Sequence, residues 1–234
     1  MIRSILILFL YVFLTITVGI PALFLSFITG KKDFLFKVGK FGLALSKPLF
    51  GMKLKIYGME KIDFTRPHIF MANHLSLIDA PLLFLILPVP VRIFPKKELF
   101  KIPVIGKGME RIGFIPVDRS DSSKGRLAIE KGVEMIKGKG WSFLIFPEGT
   151  RSWNGNLLPF KKGGFILSIK SGVPIVPITI KGTREMLPRG KFSLRRGTVE
   201  IKFHEPISPE GYSIEKKEEL LQKVREVFEK ELYK

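Results

Sequence analysis

The chain opens on an apolar stretch of unusual length: residues 4–30 carry no formal charge, and 5–28 are dense in Leu, Ile, Phe and Val. About 20 apolar residues suffice to cross a bilayer core. A segment apolar on all sides reads as a membrane element rather than as the core helix of a small soluble domain. It exceeds the apolar region of a typical signal peptide and no small-x-small cleavage site follows it, so it stays attached. Gly19 and Pro21 are placed to bend it. A span and a shallow hairpin fit this pattern equally well. Residues 31–50 then read as a second, amphipathic helix. At 100° per residue Phe34, Val38, Phe41, Leu45 and Leu49 form one stripe, while Lys37, Lys40 and Lys47 gather on another side. That is the build of a helix lying among headgroups, with lysine stems reaching phosphates. Lys31 and Lys32 hold the connecting turn at the cytoplasmic face of the membrane.

Beyond Gly58 short β-like runs alternate with helical patterns. Strands are expected at 69–72, 91–94, 112–117, 142–146, 175–180 and 198–203, and helices at 80–87, 97–105, 123–137, 163–171 and 213–233. This rhythm implies βαβ crossovers, hence an α/β fold: a mostly parallel sheet flanked by helices, with an N-terminal membrane-embedded two-helix module. The chain divides into that anchoring module, 1–57, and an α/β domain, 58–234. In such sheets sites form in the loops beyond strand ends.

Charge sharpens the choice of partner. Lys and Arg total 39 against 21 acidic residues, a net charge of +18. Residues from Glu205 onward contribute eight acidic and six basic side chains, so the excess belongs to the body before them. An anionic lipid surface or an acidic partner suits such a body. The chain has no Cys, which removes disulfide frameworks, thiolate zinc sites, iron–sulfur ligation and cysteine nucleophiles. No metal site and no cofactor are expected. A membrane-tethered nucleic-acid-binding protein is the rival from another class. The sequence shows none of the motifs such proteins carry, so no nucleic-acid partner is expected.

Two expected strand-end loops carry chemistry. The first runs from Asn73 through His74 to Asp79. On a straight helix a His and an Asp five residues apart point about 140° away from each other, so a bond between them needs a bend. Ala72 ends the strand and Pro81 suits the first turn of the next helix, which leaves room for one. A carboxylate on one imidazole nitrogen frees the other to take a proton from a hydroxyl. The alternative reading is that Asp79 merely caps a helix. The second loop, Phe146-Pro147-Glu148-Gly149-Thr150-Arg151-Ser152, sets turn formers beside polar groups, and Arg151 can grip a phosphate by its planar fork. Lys161 and Lys162 add cations ahead of a helix start.

The order HxxxxD, then Gly113-Phe-Ile-Pro-Val-Asp-Arg119, then Phe146 to Ser152, then Val173 to Pro177 resembles the glycerolipid acyltransferase family, most of all its 1-acylglycerol-3-phosphate acyltransferases. The resemblance covers about residues 55–205. It implies His74 as general base on the acceptor hydroxyl and Asp79 as the carboxylate that orients it. It further implies binding of the glycerol phosphate by Arg119, Glu148, Gly149, Thr150 and Arg151. Lys161 is added by position. Val173, Pro174, Ile175, Val176 and Pro177 handle the acyl chain or shape the site. The implied substrates are lysophosphatidic acid and a donor, either acyl carrier protein or acyl-coenzyme A. Glycerol 3-phosphate or another lipid is the alternative acceptor.

Overall fold

The computed structural model describes residues 2–118 and 122–233. Six strands, β1 (Met52–Tyr57), β2 (Ile69–Ala72), β3 (Val91–Arg92), β4 (Ser142–Ile145), β5 (Ile175–Lys181) and β6 (Gly197–Phe203), form one sheet in the order β1-β6-β5-β2-β4-β3. Every pairing is parallel except β5 with β6. The expected α/β class is therefore observed. β2, Ile-Phe-Met-Ala, is buried at every position, as a central parallel strand covered on both faces must be. β6 instead alternates, turning Val199, Ile201 and Phe203 inward.

Each sheet face carries its own core. Phe70, Leu144, Val176 and Ile178 pack with Leu82 and Leu83 of α4 (Asp79–Ile86). On the opposite face Ile69, Met71, Phe143 and Ile175 meet α6 (Ser122–Lys139), α7 (Gly163–Ser171) and α9 (Lys217–Leu232). α9 offers Leu220, Val224 and Phe228, spaced one helical face apart and all buried.

Three expectations change. Residues 112–117 form no regular strand, because Pro95 and Pro116 lack the N–H groups a ladder needs. What remains is the isolated bridge of Lys96 to Val117, with Ile115 N–H donating to the Ile93 carbonyl at 3.2 Å. The helix expected at 97–105 splits into a 3₁₀ turn, Lys97–Lys101, and α5 (Ile105–Arg111). Pro103 forces Ile102 extended, at φ −72° and ψ 120°, and the helix cannot run through. Finally, Met52–Tyr57, counted with the N-terminal module, is the edge strand β1 and runs in register with β6.

The apolar segment is one helical run from Ile2 to Thr29 with mean hydropathy 2.5 and only 6% of its apolar window buried. It consists of α1 (Ile2–Leu14), a π turn (Thr15–Gly19) and α2 (Ile20–Thr29). The Ile20 N–H reaches back to the Thr15 carbonyl, so the register slips one residue just before Pro21, which has no N–H to give. α3 (Phe34–Phe50) folds back along it, and Tyr11 Oη meets Ser46 Oγ at 2.8 Å.

The predicted stripe of this helix is only partly covered: Phe34, Val38 and Leu49 are half-buried, and Leu49 packs against the core. Phe36 and Ser46 are buried, whereas Phe41 and Leu45 are exposed. Lys40, expected among headgroups, instead donates to the Leu87 carbonyl at 2.7 Å. Arg92 locks α3 to the sheet. Its guanidinium lies 3.7 Å from the Trp141 ring centroid and 4.6 Å from that of Phe36, and donates to the Ile112 and Pro90 carbonyls. Burial lowers its pKa to about 10, and each stacked ring returns roughly 1–2 kcal/mol of cation–π attraction.

Both ends of the long helix touch the same body. Leu194 N–H donates to Ser4 Oγ at 2.9 Å. At the other end Arg111 donates to the Ser26 carbonyl and hydroxyl and lies over the Phe27 ring.

Candidate active site

β2 and β4 are parallel neighbours, so their C-terminal loops emerge side by side. The loop after β2 turns sharply enough to bring His74 and Asp79 together. His74 Nδ1 and Asp79 Oδ2 lie 2.9 Å apart, and the same oxygen accepts the Leu75 and Ser76 amides, each at 2.7 Å. Because a carboxylate oxygen can only accept, Nδ1 carries the hydrogen and Nε2 keeps its lone pair. Asp79 is fully buried, and the His74 side chain is 20% exposed. The Phe146 ring stacks on the imidazole at 4.1 Å, which holds its plane. Asp79 Oδ1 has no hydrogen-bond partner among the described residues.

The loop after β4 is stapled to this one. His74 N–H donates to Glu148 Oε1 at 2.7 Å, and Ser152 N–H donates to the His74 carbonyl at 2.9 Å. Glu148 Oε2 accepts the Leu158 amide at 2.8 Å. Glu148 was expected among the phosphate contacts, but it is buried with both oxygens taken by backbone amides, and its negative charge would repel a phosphate. Burial raises its pKa above the usual carboxylate range, against the lowering effect of those two amides. Its geometry is that of a brace between loops. Asn73 is a second brace: its side chain exchanges two hydrogen bonds with Ile180 of β5, at 2.9 and 2.7 Å.

The cations fall around the opening. Gly149 has φ +70°, and a β-carbon there would lie 2.8 Å from Lys161 Cε, so Gly lets the lysine stem lie across the loop. Thr150 is exposed at the tip, and the Arg151 side chain makes no hydrogen bond among the described residues. Burial, then the positive charge of Arg189, lower the Arg151 pKa, while Asp79 pulls it the other way. Arg119 lies outside the described residues. Val173, Ile175, Val176 and Pro177 are buried and Pro174 half-buried, at and just before the start of β5; because β5 runs parallel to β2, this block lies level with Ile69 to Met71, below the strand end that carries His74, and is not brought into the His74 loop. A shallow apolar cleft opens elsewhere, between α3, β1 and α4, lined by Leu43, Phe50, Leu54, Ile78, Leu82 and Leu85.

Sequence reasoning missed Arg189. It follows α8 (Thr183–Met186) and donates to the Arg151 carbonyl, with its guanidinium 4.2 Å from the Trp153 ring centroid. The same loop is tied to the first one, where Ser76 Oγ donates to the Leu187 carbonyl at 2.7 Å. Arg184 donates twice to the Trp153 carbonyl. Nothing local in the sequence links these positions; the long connection from β5 to its antiparallel neighbour β6 brings them here.

The fold is a mostly parallel α/β sheet whose strand-end loops set a carboxylate-held imidazole near the Arg151 and Arg189 guanidinium groups. Residues 53–181, more than half of the chain, match the family model described as Acyltransferase, and the chain belongs to this family. It is 40% identical over 157 residues to the chloroplastic 1-acyl-sn-glycerol-3-phosphate acyltransferase BAT2 of Brassica napus, covering 66% of this chain and 45% of the relative. To the 1-acyl-sn-glycerol-3-phosphate acyltransferase of Saccharomyces cerevisiae it is 34% identical over 182 residues, 77% of this chain and 60% of the relative. The matched stretch thus spans 45–60% of the length of these relatives. The crystal structure of the 1-acyl-sn-glycerophosphate (LPA) acyltransferase PlsC from Thermotoga maritima superposes with TM-score 0.78 at 31% identity, covering 98% of this chain and 95% of that one.

Proposed function

We propose that the chain transfers a fatty acyl group from an acyl thioester to the sn-2 hydroxyl of 1-acylglycerol 3-phosphate, forming phosphatidic acid at the cytoplasmic face of the cell membrane. The observation that carries this reading is the 2.9 Å contact of His74 Nδ1 with the buried Asp79 carboxylate, which leaves Nε2 as the base. Nε2 takes the hydroxyl proton as the oxygen attacks the thioester carbonyl. The new C–O bond forms, the C–S bond breaks, and the imidazolium returns the proton to the departing thiolate. The names of the relatives support this acceptor, as does the rim of Arg151, Arg189 and Lys161, which suits a phosphate. The donor is acyl carrier protein or acyl-coenzyme A, both acidic and matched to the positive body.

The membrane seat follows from the N-terminal helix. Ser4 and Ser26 are separated by about 33 Å of helix, close to the thickness of a bilayer core, yet both contact the same body. A body outside the core cannot touch both ends of a spanning helix. On this reading the helix lies in the plane of one leaflet with its exposed side in lipid, and the two contacts favour the shallow arrangement over the span.

The test is an acyl-transfer assay of purified protein with lysophosphatidic acid and glycerol 3-phosphate as acceptors and both donors, beside His74→Ala. General-base removal is typically worth about 10²- to 10⁴-fold, so the variant should fall by that factor while remaining folded. More than a tenth of wild-type activity in His74→Ala would overturn the assignment, and turnover of glycerol 3-phosphate alone would replace the acceptor.

A further inference from the structure

The segment between β3 and α5 presents apolar side chains outward from a backbone built to keep them there. Leu99, Ile102 and Ile105 are 44%, 42% and 48% exposed. Leu99 and Ile102 sit three apart at the end of a 3₁₀ turn, where such positions stack on one side. Val104 adopts φ 63°, which a β-branched residue takes only when its surroundings compel it. They do: Ile105, Gly106 and Gly108 donate to the Pro103, Ile102 and Val104 carbonyls, and a β-carbon at Gly106 would lie 2.1 Å from the Phe100 carbonyl oxygen. A turn held this tightly does not tuck its apolar residues away.

Its surroundings identify what covers it. Lys96, Lys97, Lys101 and Lys107 are exposed around it; Lys96, Lys97 and Lys107 pair with Glu98, Asp118 and Glu110, while Lys101 has no ion pair among the described residues. At the far end of α5, about 10 Å along, Arg111 bonds to Ser26 and lies 4.8 Å from the Phe27 ring centroid. There the patch runs into α2, where Phe24, Phe27 and Ile28 are 67%, 57% and 67% exposed. A broad apolar surface edged by lysines matches the acyl boundary and charge of an anionic bilayer. We propose that the turn from Leu99 to Ile105 is a second point of insertion into an anionic bilayer, continuous with the lipid-facing side of α2. This rests on the in-plane seat of the N-terminal helix, and the following experiment separates the two.

The chain has no cysteine, so single-cysteine variants Phe24→Cys, Ile102→Cys and Lys223→Cys each take one environment-sensitive fluorophore. Vesicles of mixed phosphatidylglycerol and phosphatidylcholine are added to each full-length protein. The probes at 24 and 102 should shift to the blue and be quenched by lipids with brominated chains, while the probe at 223 on α9 does neither. A silent probe at 102 with a responding probe at 24 overturns the second insertion and leaves the helix seat standing. Silence at both overturns both. Ile102→Asp should weaken vesicle partitioning about tenfold, half the worth of burying a whole Ile side chain. Unchanged partitioning, with the circular dichroism of the folded chain intact, counts equally against the proposal.

Discussion

Asp79→Asn removes one charge from the most constrained part of the site and changes little else in shape. In the native loop Oδ2 accepts three donors, the His74 ring and the Leu75 and Ser76 amides, while Oδ1 has no partner among the described residues. The Asn carbonyl oxygen can take the place of Oδ2 and keep all three donors. Its NH₂ then occupies the Oδ1 position with nothing to donate to, which costs about 1–3 kcal/mol of stability. The larger loss falls on the reaction. As His74 gains a proton, carboxylate and imidazolium attract across a separation of about 4 Å between charge centres. At the effective dielectric of such sites that is worth about 4 kcal/mol, so kcat should drop about 10³-fold. KM for the acceptor should move little, since Asp79 lies beneath the imidazole and not on the rim. Steady-state kinetics with thermal unfolding alongside makes the comparison. A kcat within tenfold of wild type, or a loss appearing only in KM, would show that the carboxylate holds the loop and does no more.

Arg189→Gln removes one guanidinium from beside Arg151 and should raise acceptor KM about 10- to 100-fold, the worth of one charge-assisted bond, with kcat changed less; an unmoved KM takes Arg189 out of the headgroup site. For Glu148, burial raises the folded pKa above the unfolded value of about 4.3. Its contribution to stability is therefore present below that value and lost as pH rises through the folded pKa. Urea titrations should then show wild type losing stability relative to Glu148→Gln as pH rises through that window, and parallel curves would refute the shift. Binding to phosphatidylglycerol vesicles should weaken as salt rises, because exposed lysines are screened over about 10 Å at 0.1 M. Salt-independent binding would assign docking to apolar insertion alone.

The legible parts of this protein were those in which one short stretch carries the whole message. The bend that joins His74 to Asp79 could be read because a strand, a polar turn and a Pro-bearing helix start follow one another within a dozen residues, and α4 does begin at Asp79. β2, β4 and β5 announced themselves as apolar runs. β1 alternates, Met-Lys-Leu-Lys, but beside the apolar segment this short run drew no strand assignment and was counted with the N-terminal module, whereas it pairs with β6. Arg189 was beyond reach, for its partner Arg151 stands 38 residues away and the two meet only through the long connection from β5 to β6. Glu148 shows a different limit: an acidic residue beside Arg151 in a polar loop looks like a ligand until its two oxygens are seen to be taken by amides.

With the in-plane seat proposed above, the N-terminal helices show why apolar pattern alone does not orient such a segment. In water the exposed side of a helix is polar, and periodicity points to the core. In lipid both sides are apolar, and the signal that separates them vanishes. Phe41 and Leu45 lie on the apolar stripe and Phe36 on the opposite, lysine-bearing side, yet Phe36 is buried and they are not. What decides the docking side is a handful of polar contacts: Tyr11 with Ser46, Lys40 with the Leu87 carbonyl, Leu194 with Ser4 and Arg111 with Ser26. A polar group in an apolar helix is costly unless it is bonded, so each such residue must face a partner. Ser4, Tyr11 and Ser26 mark the protein-facing side of a helix whose remaining surface gives no direction.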